Sequence, residues 1–442
     1  MQWLVVMAGL LASGCGSDKT VSEAPASPSK TEDDRATPEP AAAAETSVGG
    51  GSDSSQVFGG RPFEVKQLPP GTRTEKEARE AAQELLSAVL DREASSPGNA
   101  WALAHGILAK GKDFKAADGR RAVDVLIDDF LLADALPGMR GMHPYFPKKQ
   151  GDIRVEPHTD LVLKTLVEAG FPLDELLVDR MGAPTLERLF RSSRLRFQPS
   201  KEGPSLFQVP DDAPWSAQAW CQGVQKGADP AWRTASGQSV NVGQVAEDLL
   251  SLLEREYAFL AEARQRGETV KKQRQHIFSY ACGGAHLFQG VAACVAAGQP
   301  TGKQPIERLQ SIIDLYLFRI PLETGIVDGG MRQAPRMAPI LLNQDVKFLG
   351  HALEGLSLAQ KHGIWTPTEE EVRDLDRAEA RMAFHIHQLS RMGAYEQERM
   401  QRLTKTDGGF QFYLDLVGDA AHAYRGMALR DELKGRGPLL SD

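Results

Sequence analysis

The chain has 442 residues, 41% of them hydrophobic, enough to bury the core of one large domain or two ordinary ones. A formal charge of −8, an isoelectric point near 5.8 and the lack of any basic block or stripe argue against nucleic acid as a partner.

Residues 2–14 form an apolar run of signal-peptide length, too short to span a bilayer. Ala12, Ser13 and Gly14 lead directly into Cys15. This resembles the lipobox of bacterial lipoproteins. The resemblance implies a signal peptide over 1–15 and acylation of Cys15. It also implies a place in the cell envelope, on the outer or plasma membrane, facing the periplasm or exterior. No Lys or Arg precedes the run, and Leu11 stands four residues before the cysteine rather than three. A plain secretory signal is the alternative, and both take the mature chain out of the cytoplasm. Membrane lipid is then a partner through the acylated Cys15, each buried methylene contributing roughly 0.8 kcal/mol.

Residues 16–62 are dominated by Ser, Thr, Pro, Ala, Glu and Gly, too polar to offset the entropy of ordering. They read as a disordered tether, holding the rest of the chain roughly 35–40 Å from the membrane on average.

Residues 63–442 read as a single all-α domain, because helical periodicity runs through them and alternating β-branched stretches are scarce. Thr74 followed by Glu77 predicts a capping box opening a helix over 74–92. Further amphipathic helices are expected over 119–135, 173–195, 241–266, 303–320 and 369–402. Between them recur helices built from small and apolar residues: Asn99–Gly111, His158–Gly170, Pro214–Gly227, Phe278–Gly298, Val346–Gly363 and Gly418–Leu429. Five of these six end in a glycine suited to a helix C-cap. Amphipathic helices belong outside and small-residue helices inside, so six alternating pairs predict an (α/α)6 toroid of six helical hairpins. An open solenoid or irregular bundle is the alternative.

Two strings, Asp407–Phe410 and Asp328–Met331, carry Gly-Gly before a small-residue helix. With the alternation, they resemble the terpenoid cyclase and protein prenyltransferase toroids; the architecture equally resembles the (α/α)6 glycosidases and polysaccharide lyases. The acid motif of squalene cyclases and a zinc set of the prenyltransferase kind are missing, so the resemblance implies the fold and none of the cyclase or transferase activity. The lyases imply Tyr and His as base and acid with Arg against a uronate carboxylate. The glycosidases imply two carboxylates, for which Asp345, Glu354, Asp407 and Asp419 are candidates.

Long loops lead into the small-residue helices over Gly138–Pro157, Arg196–Pro214, Pro321–Leu341 and Leu403–Gln411. They gather on the positive ends of the helix dipoles, a face suited to an anionic or polyhydroxylated ligand. Arg140, His143 and Tyr145 in the first loop, then His158 and Asp160, are ligand-binding candidates there, with rim cover and helix capping as the plain alternatives. Asp407, Tyr424 and Arg425 complete the ligand-binding set.

Four small-residue helices carry a histidine: His105, His286, His351 and His422. Catalytic candidates are His286 with Tyr280, His351 with Glu354 on the same helical face, and His422 with Asp419. A structural layer of core histidines is the competing reading. His385 and His387, two apart on one helix, make a poor chelate. No CxxC or HExxH spacing is present, so neither a metal nor another cofactor is expected. Cys282 and Cys294, three turns apart on one predicted helix, cannot bridge each other. Either fits a pair with Cys221, and buried reduced cysteines are the alternative.

The sequence therefore predicts a membrane-anchored extracytoplasmic lipoprotein that binds a polysaccharide or an envelope protein in or over the toroid cavity. Its alternative is a carbohydrate-active enzyme with a site at the N-terminal ends of the inner helices.

Overall fold

The computed structural model describes residues 74–178, 182–199, 213–268, 270, 272 and 275–436. The expected signal peptide, Cys15 and the whole of the expected tether over 16–62 fall before residue 74, outside the described residues.

The first helix, α1 (Glu75–Val89), opens as the spacing predicts. Thr74 accepts from the Glu77 amide, and the Glu77 carboxylate accepts from the Thr74 amide. A π-helical turn over Leu90–Ala94 extends it. Next come α2 (Ala100–Lys110), capped by Asn99, and the short α3 (Ala122–Val125) with a π turn over Leu126–Phe130. Three small antiparallel hairpins interrupt the helices: β1 (Leu132–Ala135) with β2 (Met142–Tyr145), β3 (Lys149–Gln150) with β4 (Ile153–Arg154), and later β5 (Ala231–Arg233) with β6 (Ser239–Asn241). The remaining helices are α4 (Leu161–Glu168), α5 (Leu186–Arg196), α6 (Ala213–Gln225), α7 (Val242–Arg266), α8 (Ala285–Ala296), α9 (Pro305–Gln333), α10 (Ala338–Lys361), α11 (Glu369–Arg391), α12 (Gln397–Leu403) and α13 (Asp407–Leu433). Among the described residues no helix is long and apolar enough to cross a membrane.

The small-residue helices are α2, α4, α6, α8, α10 and α13. Each packs against the next in that order, and α13 packs back against α2. The amphipathic helices lie against them: α7 on α6 and α8, α9 on α10, α11 on α10, and α1 on both α11 and α13. The most extensive contact is between α10 and α13, and it depends on two glycines. A Cβ on Gly350 would sit 2.9 Å from the Ala423 amide nitrogen, and one on Gly426 would sit 3.1 Å from the Glu354 amide nitrogen.

Several expectations are corrected. The stretch Pro321–Leu341 is not a loop. α9 runs through Pro321, with the Thr324 hydroxyl donating to the Ile320 carbonyl and burial of Tyr316, Ile320 and Val327 outweighing the proline's cost of about 3 kcal/mol. The Gly-Gly strings at Asp328 and Asp407 accordingly lie inside α9 and in the first turns of α13 rather than in turns. The helix expected from Phe278 starts only at Ala285, because Cys282, Gly283 and Gly284 adopt left-handed backbone. The helix expected over 369–402 breaks at Gly393, and that over 173–195 is helical only from Leu186. Cys221 and Cys294 form a disulfide, Cα to Cα 5.1 Å, which joins α6 to α8.

Candidate functional site

The four histidines come from four different helices, and the packing of those helices brings their rings together. Ring centroids lie 3.8 Å apart for His351 and His422, 4.7 Å for His286 and His351, and 5.5 Å for both His286–His422 and His105–His422. All four are buried. Of their ring nitrogens, His105 Nδ1 meets a backbone group, the Trp101 carbonyl at 2.8 Å.

A carboxylate holds the cluster on one side. Glu354, wholly buried, lies 2.6 Å from His422 Nδ1, accepts from Gln289 Nε2 at 3.0 Å and pairs with Arg425. Arg425 bridges on to Glu168 at 2.6 Å, and Glu168 also takes Lys164 at 2.7 Å and Gln218 at 3.1 Å. A buried charge persists only when paired and hydrogen-bonded, and here two carboxylates face two cations. Burial pushes the Glu354 carboxyl up, but His422 and Arg425 outweigh it and hold the group well below the carboxylate range. Burial likewise opposes ionisation of Glu168, and Arg425 and Lys164 bring it down to about 2.

Cys282 completes the centre. Its ligand atom and those of His286 and His351 lie within 4.8 Å of one another, as do those of His351, Glu354 and His422. Arg319, fully buried, fixes the left-handed turn that carries Cys282 by donating to the Gly283 carbonyl at 3.0 Å. Tyr257 and Glu323 hold the guanidinium in turn.

Of the other catalytic candidates, Asp419 belongs elsewhere. It accepts from Asn343 at 2.7 Å and lies near Lys347. Tyr280 is half-buried on the turn before Cys282. Asp345, expected as a carboxylate candidate, is buried against Arg381 at 2.6 Å and His385 at 2.9 Å, which gives the dismissed His385 a structural role. Tyr424 is half-buried beneath the Lys110 ammonium, 5.1 Å from its ring centroid. The side chain of Asp407 is outside the described residues.

Of the ligand-binding candidates in the first loop, Tyr145 alone lines a second place, where it meets Asp160, while the His143 side chain is buried outside it. A pocket of about 160 Å³ lies between β2, the end of α5 and the N-terminal ends of α4 and α6, lined by Tyr145, Asp160, Ser193, Arg196, Phe197 and Trp220 among others. Asp160, in left-handed backbone, accepts from Ser193 Oγ at 2.7 Å and from Ser216 Oγ, while Trp220 Nε1 donates to Ser193 at 2.9 Å. Arg196 stands over the Tyr145 ring at 4.1 Å and donates to the His143 carbonyl. Arg140 is exposed and does not line the pocket. His158 does not line it either; its ring stacks on Trp215 at 4.2 Å, and Trp215 in turn lies 4.5 Å from His286.

Sequence reasoning missed Cys282, Lys164 and Glu168 as members of the centre. One signal was present: an i,i+4 Lys–Glu pair on an otherwise apolar helix has no solvent face to explain it. Comparisons with protein-family models, curated proteins and solved structures found no match to this chain.

Proposed function

We propose that this is a lipid-anchored protein of the cell envelope whose folded part is an (α/α)6 toroid that binds a small polyhydroxylated group, such as one sugar unit of an envelope polysaccharide. The cycle of contacts from α2 through α13 back to α2 supports the toroid. The Cys221–Cys294 disulfide suits an oxidising, extracytoplasmic compartment.

The pocket at Tyr145 and Asp160 is the observation that carries the reading. Its volume of about 160 Å³ falls below the roughly 300–1,000 Å³ of ordinary small-molecule sites, so it fits a single ring rather than a cofactor. Tyr145, Phe197 and Trp220 offer aromatic surface for the apolar face of a sugar, and Asp160 and Arg196 offer an acceptor and donors for its hydroxyls. Binding is favoured over turnover because the acid–base groups of the centre are buried and Glu354 is tied to Arg425 and Gln289.

The test is a titration of intrinsic tryptophan fluorescence with neutral and uronate oligosaccharides. Saturable binding is expected, weakened at least tenfold by Tyr145→Ala or Asp160→Asn without loss of helical circular dichroism. Absence of saturable binding by any glycan, or binding indifferent to both substitutions, contradicts the reading.

A further inference from the structure

Cys282, His286, His351 and His422 share a property that sugar binding does not use. All four are buried, they come from four separate elements, the turn before α8 and the helices α8, α10 and α13, and their soft and borderline donors cluster about His351. Cys282 takes no part in the disulfide. It also keeps a left-handed backbone, φ 50°, which is strained for a non-glycine residue and persists only where surroundings impose it. Those surroundings are the buried Arg319, which clamps the next carbonyl, and Gly284, where a Cβ would come within 2.2 Å of Ile277. The turn thereby puts the thiol beside His286 in the first turn of α8 and His351 in the middle of α10.

His422 adds a second, independent sign. Its Nδ1 is held by the Glu354 carboxylate at 2.6 Å, while its Nε2 is buried without a hydrogen-bond partner among the described residues. A carboxylate gripping one ring nitrogen fixes the tautomer and raises the basicity of the other, the arrangement that metal-ligating histidines commonly have. Glu354 is already neutralised by Arg425, so it serves as the orienting carboxylate rather than as a ligand.

We propose that Cys282, His286 and His351, with His422 as the fourth ligand, form a binding site for a divalent transition ion at the centre of the helix ring. One sulfur and three imidazoles suit zinc, which takes such donors tetrahedrally at about 2.3 Å from sulfur and 2.0–2.1 Å from nitrogen. The donor atoms of Cys282, His286 and His351, within 4.8 Å of one another, and that of His422, within the same distance of His351, would be drawn together by the ion, with Cys282 bound as thiolate and its proton released to solvent. Such an ion ties α8, α10 and α13 to the turn before α8. This site is separate from the pocket at Tyr145, so either assignment can fail without the other.

The experiment uses the full chain. After exhaustive dialysis, metal content is measured, and the dialysed protein is loaded with cobalt(II) and followed by absorption. The expected result is one equivalent of metal per chain, and a cobalt adduct with tetrahedral d–d bands and a thiolate-to-cobalt charge-transfer band. Cys282→Ala abolishes the charge-transfer band and weakens binding at least tenfold, and His286→Ala weakens binding similarly. His385→Gln, outside the cluster, leaves both unchanged. Fold is checked in each variant by circular dichroism, and removal of metal from the wild-type chain lowers its melting temperature whereas the same treatment leaves Cys282→Ala unmoved. No stoichiometric metal in the folded wild-type chain, or a cobalt spectrum that Cys282→Ala leaves intact, overturns the proposal.

Discussion

Glu354 is the residue on which the buried centre balances. Three partners converge on its carboxylate, and one of them, Arg425, is itself largely buried, its side chain 13% exposed. Removing the charge with Glu354→Gln leaves Arg425 with less compensation in a low-dielectric site, and a broken buried pair typically costs about 3–5 kcal/mol. Urea denaturation should show a loss in that range. Adding Arg425→Met should return part of it, since no guanidinium then needs a partner; a double variant as unstable as the sum of the two singles contradicts this. The same pairs fix the response to acid. Glu168, Glu354 and Glu323 all have folded pKa values below the usual 4.5, so the unfolded chain binds more protons as pH falls. Their contribution is complete above pH 4.5 and is lost as pH drops from there toward 2, where Glu168 takes up its proton. Glu168 alone accounts for on the order of 3 kcal/mol. Denaturation midpoints measured between pH 7 and pH 2 should fall steeply below 4.5, and a flat profile there would show that these carboxylates are not paired as described.

At the scale of elements, glycine placement decides how closely helices meet. In a helix, Gly→Ala ordinarily gains up to about 1 kcal/mol. Gly325 in α9 has open space around its missing Cβ, so Gly325→Ala should stabilise by that much. Gly350→Ala should destabilise by about 1–3 kcal/mol, because its Cβ would press on the backbone of α13 at 2.9 Å. Opposite signs for two chemically identical changes, read by thermal melting, identify the α10–α13 contact as backbone-limited. Equal signs would contradict it. This scale also shows what the sequence could reveal. The capping box at Thr74 and Glu77, the helical character of the chain and the small-residue set at α2, α4, α6, α8, α10 and α13 were readable, because periodicity and composition are local. Pro321 and the Gly-Gly at Asp328 misled, because packing of α9 against its neighbours overrides a local breaker. The turn at Cys282 was read as helix, since nothing local announces a left-handed cysteine clamped by Arg319 from another helix. The sequence offered His286, His351 and His422 either as catalytic candidates or as a structural layer of core histidines and could not choose between them, and the ion pairs selecting Arg425 and Glu168 depend on side-chain reach that no spacing rule supplies.

For the whole molecule, two covalent features follow from the proposed compartment. The Cys221–Cys294 disulfide closes a loop of sequence separation 73 and should contribute about 4 kcal/mol by restricting the unfolded chain. Reduction before urea denaturation, or the double change Cys221→Ala with Cys294→Ala, should remove most of that, and a reduced protein with an unchanged midpoint would refute it. Substituting Cys15→Ser should move the protein from the membrane fraction to the soluble fraction if that cysteine carries the anchor. Beneath both lies the central claim, that helices remote in sequence pack in a cycle around one buried, charged centre. Hydrogen–deuterium exchange on the intact chain tests it most directly. Amides of α10 around Gly350–Gly355, α13 around Asp419–Gly426 and α4 around Lys164–Glu168 should be the slowest of all and should exchange together, through global unfolding. If α4 exchanges independently of α10 and α13, or if these segments open as readily as the short α12, the shared centre does not exist.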